Sequence, residues 1–233
     1  MFEQDTRAHT AEKGDILAPQ IRRYLASLGL TFEYVADKKV LDIGSNDCVL
    51  ASEAQERGIQ TITSLDINHE SLMRADPSVG GRVVGDAFKA LPFSSESIDL
   101  ALVRGLAIGK DDKSPMVMDE IRRVLKKDGE VRIWPALSVS KMNIFADTPE
   151  ATLTQRLKAI IQSSHYWIEQ GYDVILVRVD PEEVKNDNLF AGECGYYWRV
   201  GKRKLDGDKI QSRKNAVIEL IEEDIKKIHE SSI

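Results

Sequence analysis

Cysteine is scarce. Cys48 and Cys194 are the only two in 233 residues, and they show neither metal-ligand spacing nor a disulfide framework, which points to a reducing compartment. Positive charge is in deficit: 32 Lys and Arg face 38 Asp and Glu, a net charge of -6. An acidic chain is a poor default binder of nucleic acid, so no nucleic-acid partner is expected. No apolar run is long enough to cross a bilayer. The start, Met1-Phe2-Glu3-Gln4-Asp5, lacks the basic residues and apolar stretch of a secretory signal. A cytoplasmic protein without a membrane partner is the expectation. Internal repeats and low-complexity segments are also missing.

What is present is an ordinary globular composition, 42% apolar and 30% charged, in a length that suits one large α/β domain. The stretch that organises the chain is Lys39-Val40-Leu41-Asp42-Ile43-Gly44-Ser45-Asn46-Asp47-Cys48. It reads as a buried strand, a tight turn at Gly44 and a helix beginning at Val49. Such a turn lets backbone approach a ligand, and the helix start offers unpaired N–H groups.

Ahead of this stretch, Asp15 is placed to cap a helix running to about Leu28, with Ile21, Tyr24, Leu25 and Leu28 on one face. Behind it, strands are expected at Thr61–Leu65, Arg82–Val84, Ile98–Val103 and Glu130–Trp134. Helices fall between them, one opened by Ser114-Pro115 and running through Leu125, with Asp128-Gly129 as a turn. Five alternations of strand and helix predict a largely parallel sheet with helices on both faces and right-handed crossovers. A helix is expected from Thr148-Pro149-Glu150 to about Gln170, then strands at Asp173–Val179 and Tyr196–Gly201. The stretch between those strands is polar, so an antiparallel return is favoured. The tail from about Lys209 to His229 is amphipathic, with Val217, Leu220, Ile221, Ile225 and Ile228 on one face.

In such a sheet ligands sit outside the carboxyl ends of the strands. Those ends carry Asp42 and Gly44, then Asp66, then Asp86, then Arg104. An acid at the end of the second strand can accept both ribose hydroxyls. A charged hydrogen bond of that kind contributes about 1.5–3 kcal/mol.

Val40-Leu41-Asp42-Ile43-Gly44, Leu65-Asp66-Ile67, Gly85-Asp86-Ala87, Leu91-Pro92-Phe93 and Ile98-Asp99-Leu100 together resemble the class I S-adenosylmethionine-dependent methyltransferases, in particular their small-molecule-type domains. Glu120-Ile121-Arg122-Arg123-Val124-Leu125-Lys126-Lys127-Asp128-Gly129-Glu130 is similar to the family's helix and turn before the fifth strand. The resemblance covers about Lys39 to Pro135. It implies a Rossmann-like, seven-stranded, mostly parallel sheet with an antiparallel late strand. It also implies S-adenosylmethionine as cofactor, with Asp42 and Gly44 at its methionine end beside Ser45 and Asn46 of the turn. Asp66 would hold the ribose, Ile67 would pack on the adenine, and Asp86 and the Ala87 backbone would meet the adenine edge. Arg104 and Gly105 would lie under the sulfonium. On this reading residues 1–233 form a single domain: an arm and helix over 1–30, the cofactor-binding core over 39–135, a late helix and strand pair over 148–204, and a C-terminal helix over 209–230.

The family's turn commonly carries glycine at the positions of Asn46 and Cys48. Asn tolerates unusual backbone angles, and Cys is small. That departure keeps open a second reading, a cofactor-binding or regulatory partner without catalysis. An NAD-dependent oxidoreductase shares the turn and the second-strand acid but lacks its Gly-x-Gly-x-x-Gly spacing here. The fourth strand end, Val103-Arg104-Gly105-Leu106, lacks the Asn/Asp-Pro-Pro-aromatic signature, and no Pro-Cys pair occurs. With the acidic charge, a small-molecule acceptor is the first expectation. No catalytic residue and no metal ligand is assigned. His165 and Tyr166 are considered as a base, Trp134 and Pro135 as pocket walls, and Arg104 as an ion-pair partner of Asp42 or another nearby acid, or as a binder of an anionic substrate group.

Overall fold

In the computed structural model, residues 17–105, 114–136, 153–184 and 195–231 are described. The segment Val40-Leu41-Asp42-Ile43 forms strand β1, buried at every position because it lies between two neighbours. Its neighbours are β2 (Ile62–Asp66) and β4 (Ile98–Arg104). β3 (Arg82–Val84) lies at one edge, and β5 (Leu125–Trp134), β6 (Tyr172–Val179) and β7 (Gly195–Lys204) extend the other side. The order is β3-β2-β1-β4-β5-β7-β6. The first five strands run parallel, and β7 inserts antiparallel to both β5 and β6. The expected Rossmann-like sheet with an antiparallel late strand is therefore the observed one.

Alternate side chains on these strands enter two separate cores, as the period of two requires. Leu41, Ile43, Leu65, Ala101, Val103, Val131 and Ile133 enter one. It is covered by α5 (Ser114–Val124), α6 (Leu153–Glu169) and α8 (Gly207–Ser231) through residues such as Met118, Ile121, Ile160, Val217 and Ile221. Val40, Ile62, Leu100, Leu102 and Trp134 enter the other. There α1 (Pro19–Ser27), α2 (Phe32–Ala36) and α3 (Val49–Glu56) supply Ile21, Leu25, Phe32, Val35 and Leu50. Asp42 and Arg104 follow Val40 and Leu102 by two residues, so both point to the α1 side.

Local chemistry sets the element ends. Pro19 occupies the first turn of α1, where a missing N–H costs nothing. Thr31 caps α2 through the Tyr34 N–H at 3.2 Å. Asn68 caps α4 (His69–Arg74) through the N–H groups of Glu70 and Ser71 at 3.0 and 3.3 Å.

Several expected boundaries move. The first helix begins at Pro19, and Asp15 lies outside the described residues, as do Thr148-Pro149-Glu150, Leu106 and Cys194. The expected turn at Asp128-Gly129 is part of β5, which starts at Leu125 with a register shift opposite Ile98–Leu100. A Cβ on Gly129 would stand 3.1 Å from the carbonyl oxygens of Ile98 and Asp99, so the irregular pairing draws two backbones together where only glycine fits well. The helix α5 ends at Val124, one residue before the expected Leu125. Pro181–Val184 forms a one-turn helix, α7, after β6. In α8, Val217 and Ile221 are buried, and Leu220 and Ile225 pack at the core's margin; the side chain of Ile228 lies outside the described residues.

Candidate cofactor site at the strand ends

Parallel pairing puts Ile43 level with Leu65 and with Val103, and Arg104 level with Trp134. The next residues, Gly44, Asp66 and Arg104, therefore form one row at the carboxyl edge of the sheet. Gly85 joins it through its N–H, which donates to the Asp66 carbonyl at 2.9 Å.

The turn after β1 is left-handed at three positions, Gly44 (φ 74°), Asn46 (φ 51°) and Cys48 (φ 56°). Gly44 adopts this conformation at no steric cost. For Asn the cost is reduced by its short polar side chain, and for Cys it is of the order of 1–2 kcal/mol. The turn is tied on both sides. The N–H groups of Gly44 and Ser45 donate to the Leu65 carbonyl at 2.8 and 3.2 Å. The Asn46 N–H donates to Asp66 Oδ2 at 2.8 Å, and Arg74 donates to Asn46 Oδ1 at 3.2 Å. Cys48 is fully buried and begins α3. Burial pushes its thiol pKa up, which suits a packing role rather than a nucleophile.

Asp66 also accepts the Asn68 N–H on Oδ1 at 2.8 Å. The two backbone donors fix the carboxylate while each oxygen keeps a second lone pair for a ligand hydroxyl. Asp86 accepts the Phe88 N–H at 2.9 Å and has Lys89 Nζ at 3.6 Å. Ala87 is buried, and Ile67 is 67% exposed, an apolar side chain left open beside Asp66.

Asp42 is 1% exposed. Tyr24 Oη donates to its Oδ1 at 2.5 Å, and its Oδ2 is buried with no hydrogen-bond partner among the described residues. Burial raises its pKa to about 6 against the Tyr24 hydrogen bond and the Arg104 charge, which both lower it. Arg104 acts on Asp42 through its charge. Arg104 Nε donates to Ser27 Oγ at 3.2 Å, and its guanidinium lies 5.3 Å from the Tyr24 ring centroid. The donor to Asp42 is Tyr24, a residue read from the sequence only as one of an apolar helix face. Its signal was a hydroxyl on that face, since a buried phenol needs a partner.

Of the residues considered as base or pocket wall, His165 and Tyr166 lie away from the row on α6, and Trp134 stands level with Arg104 at the end of β5. His165 Nε2 is 3.2 Å from the Lys214 carbonyl oxygen of α8, and Tyr166 stacks edge-on with Trp167 at 5.0 Å. Trp134 is fully buried, with its ring against Gly195, where a Cβ would come within 2.6 Å. Gly105 follows Arg104 in the row and donates its N–H to the Trp134 carbonyl at 2.9 Å.

The sheet order and this strand-end row define a class I methyltransferase fold. Residues 41–133 match the profile of a family described as a methyltransferase domain. A methyltransferase from Thermotoga maritima, titled a possible histamine N-methyltransferase, superposes with a TM-score of 0.51 at 17% identity, over 79% of this chain and 92% of that one. A Pyrococcus horikoshii OT3 protein superposes with a TM-score of 0.55 at 16% identity, over 81% and 94%. No curated protein sequence matches the chain. Residues 41–133 thus match a methyltransferase domain, and the chain has the Rossmann-like fold of the class I methyltransferases. No helix among the described residues is long and apolar enough to cross a membrane.

Proposed function

We propose that this protein binds S-adenosylmethionine in the strand-end row and transfers its methyl group to a small-molecule acceptor. The observation that carries the reading is the turn, where Asn46 and Cys48, at positions the family it resembles commonly fills with glycine, both adopt the left-handed backbone that glycine takes up at no steric cost.

The residues fit the cofactor. The unpartnered Oδ2 of Asp42 suits a cationic methionine end, and Gly44, Ser45 and Asn46 supply the turn beside it. The Asp66 carboxylate, oriented by two N–H groups, suits the ribose hydroxyls. Ile67 offers apolar surface for the adenine, and Asp86 with the Ala87 backbone suits its polar edge. Bound S-adenosylmethionine supplies an electrophilic methyl group on sulfur. The chain's own task is orientation, which is worth about 7–11 kcal/mol when two reactants are held in line. The acidic net charge of -6 supports a small acceptor over a nucleic acid.

Asp66→Ala tests the site. Losing charged hydrogen bonds of about 1.5–3 kcal/mol lowers affinity for S-adenosylhomocysteine by about 10- to 100-fold. Calorimetric titration reads this directly, and unchanged affinity contradicts the assignment.

A further inference from the structure

Three buried polar atoms with no hydrogen-bond partner among the described residues belong to neighbouring side chains: Asp42 Oδ2, Ser45 Oγ and Ser64 Oγ. Their residues are 1%, 8% and 0% exposed. The sheet brings them together. Asp42 of β1 and Ser64 of β2 are register partners, on strands about 4.8 Å apart. Each follows by two residues an apolar side chain of the core on the α1 side, Val40 and Ile62, so both point to that side. Ser45 is drawn toward β2 by its N–H, which donates to the Leu65 carbonyl at 3.2 Å. Cys48, fully buried in the same core, closes the cell. The Asp42 charge and the hydroxyls of Ser45 and Ser64 all act on its thiol.

That thiol does not satisfy the hydroxyls. Its own proton is directed to the Asn46 carbonyl, 4.0 Å from Sγ, and sulfur is a weak acceptor. Buried oxygens of this strength are nearly always hydrogen-bonded in native proteins, and an internal water typically meets about three such groups at once. The chemistry of the cell suits water. A carboxylate oxygen accepts, and each hydroxyl either accepts or donates, so both protons of a water and one of its lone pairs find partners. A hard divalent cation asks for about six or more oxygen ligands, and a soft one for thiolates, whereas burial keeps the Cys48 thiol protonated.

We propose that Asp42 Oδ2, Ser45 Oγ and Ser64 Oγ bind one internal water molecule, which joins β1, β2 and the turn after β1. The water donates to Asp42 Oδ2 and to one hydroxyl, and accepts from the other. It links three segments whose side chains do not bond one another directly. The link lies within the turn that carries Asn46 and Cys48 in left-handed backbone, and it adds to the ties that Leu65 and Asp66 supply. Oδ2 keeps a second lone pair, so the water and a cofactor end at Asp42 are compatible. Water brings a hydrogen bond and no charge, so burial still dominates the Asp42 titration. The inference concerns the ligand-free chain and stands apart from the cofactor reading.

The test has two arms. The first is a crystal structure of the ligand-free wild-type protein at a resolution that orders buried water. It should show a peak about 2.5–3.0 Å from each of the three oxygens. No peak, hydroxyls bonded instead to Asp42 or to backbone, or a peak with six or more ligands at about 2.0–2.6 Å, the signature of a cation, overturns the inference. The second arm counts long-lived waters in solution by oxygen-17 relaxation dispersion, in the wild type, Ser64→Val and Ser78→Ala. Valine suits a strand, removes one partner and fills its space. Ser64→Val should lower the count by one. Ser78→Ala removes an exposed hydroxyl that accepts from Gln55 at 3.0 Å, and should leave the count at the wild-type value. A folded Ser64→Val protein with the wild-type count overturns the inference, and if that variant does not fold the wild-type structure decides alone. None of these results involves S-adenosylmethionine, so failure here leaves the cofactor reading standing.

Discussion

Asp42 carries a cost that shows what the site demands. Its pKa is about 6 in the folded protein against an ordinary 3.8, so the folded state binds this proton more tightly than the unfolded chain does. The stabilisation from that proton is complete below about pH 3.8 and is lost as the pH rises through about 6. At pH 8 the ionised, half-satisfied carboxylate is therefore a burden of about 3 kcal/mol. Asp42→Asn keeps an acceptor for Tyr24 and removes the charge. Urea unfolding should find the variant more stable than the wild type by about 3 kcal/mol at pH 8, with the gap closing toward pH 4. A gap of the same size at both pH values contradicts the assignment of the charge to Asp42. Removing the charge should weaken the binding of S-adenosylmethionine more than that of S-adenosylhomocysteine. On the proposed function, the residue gives up stability for binding, a common trade at functional sites.

At the scale of elements, what puts Tyr24 over Asp42 is a buried cation, Arg132 of β5. It is 5% exposed, donates to Glu130 Oε1 at 2.8 Å and to the Leu28 carbonyl at 2.9 Å, and lies 4.4 Å from the Tyr34 ring centroid. It also donates to the Gly29 carbonyl. These bonds tie the end of α1 and the start of α2 to the sheet. Arg132→Ala leaves two carbonyls without their donor and Glu130 with only the more distant Arg199 at 3.8 Å, and should cost about 3 kcal/mol in denaturant unfolding. Because α1 then loses its anchor, cofactor affinity should fall as well, although Arg132 lies outside the strand-end row. An Arg132→Ala protein as stable as the wild type contradicts this account of α1. The strands, turn and strand-end acids were legible because each has a local signature: a β-branched run, a glycine turn, an acid at a fixed distance. The docking of α1 has none. Tyr24 reads as one of four apolar positions, and its partner Asp42 lies eighteen residues away in sequence. The irregular stretch at residues 126–129 was hidden for the same reason, since Asp128-Gly129 has the local chemistry of a turn, whereas in the structure it lies within β5 between the residues paired to Ile98 and Leu100.

Across the whole molecule, the sheet order brings residues from β1, β2 and β4 to one edge and leaves the late antiparallel strands to close the other side. The far side is locked by charge as well as packing: Asp224 of α8 is 3% exposed, accepts Arg178 Nε at 2.9 Å and pairs with Tyr196. The turn was the point at which the sequence left two outcomes open. The absence of glycine at Asn46 and Cys48 is visible in the sequence, whereas the left-handed backbone those residues adopt is not, because the turn is held by Leu65, Asp66 and the start of α3. The central claim is that this turn and the strand ends beside it receive S-adenosylmethionine. The most direct measurement is calorimetric titration of the unmodified protein with S-adenosylmethionine, S-adenosylhomocysteine and NAD in parallel. Saturable binding of the first two without binding of NAD is the predicted result. Binding of NAD alone, or of none of the three, would contradict it.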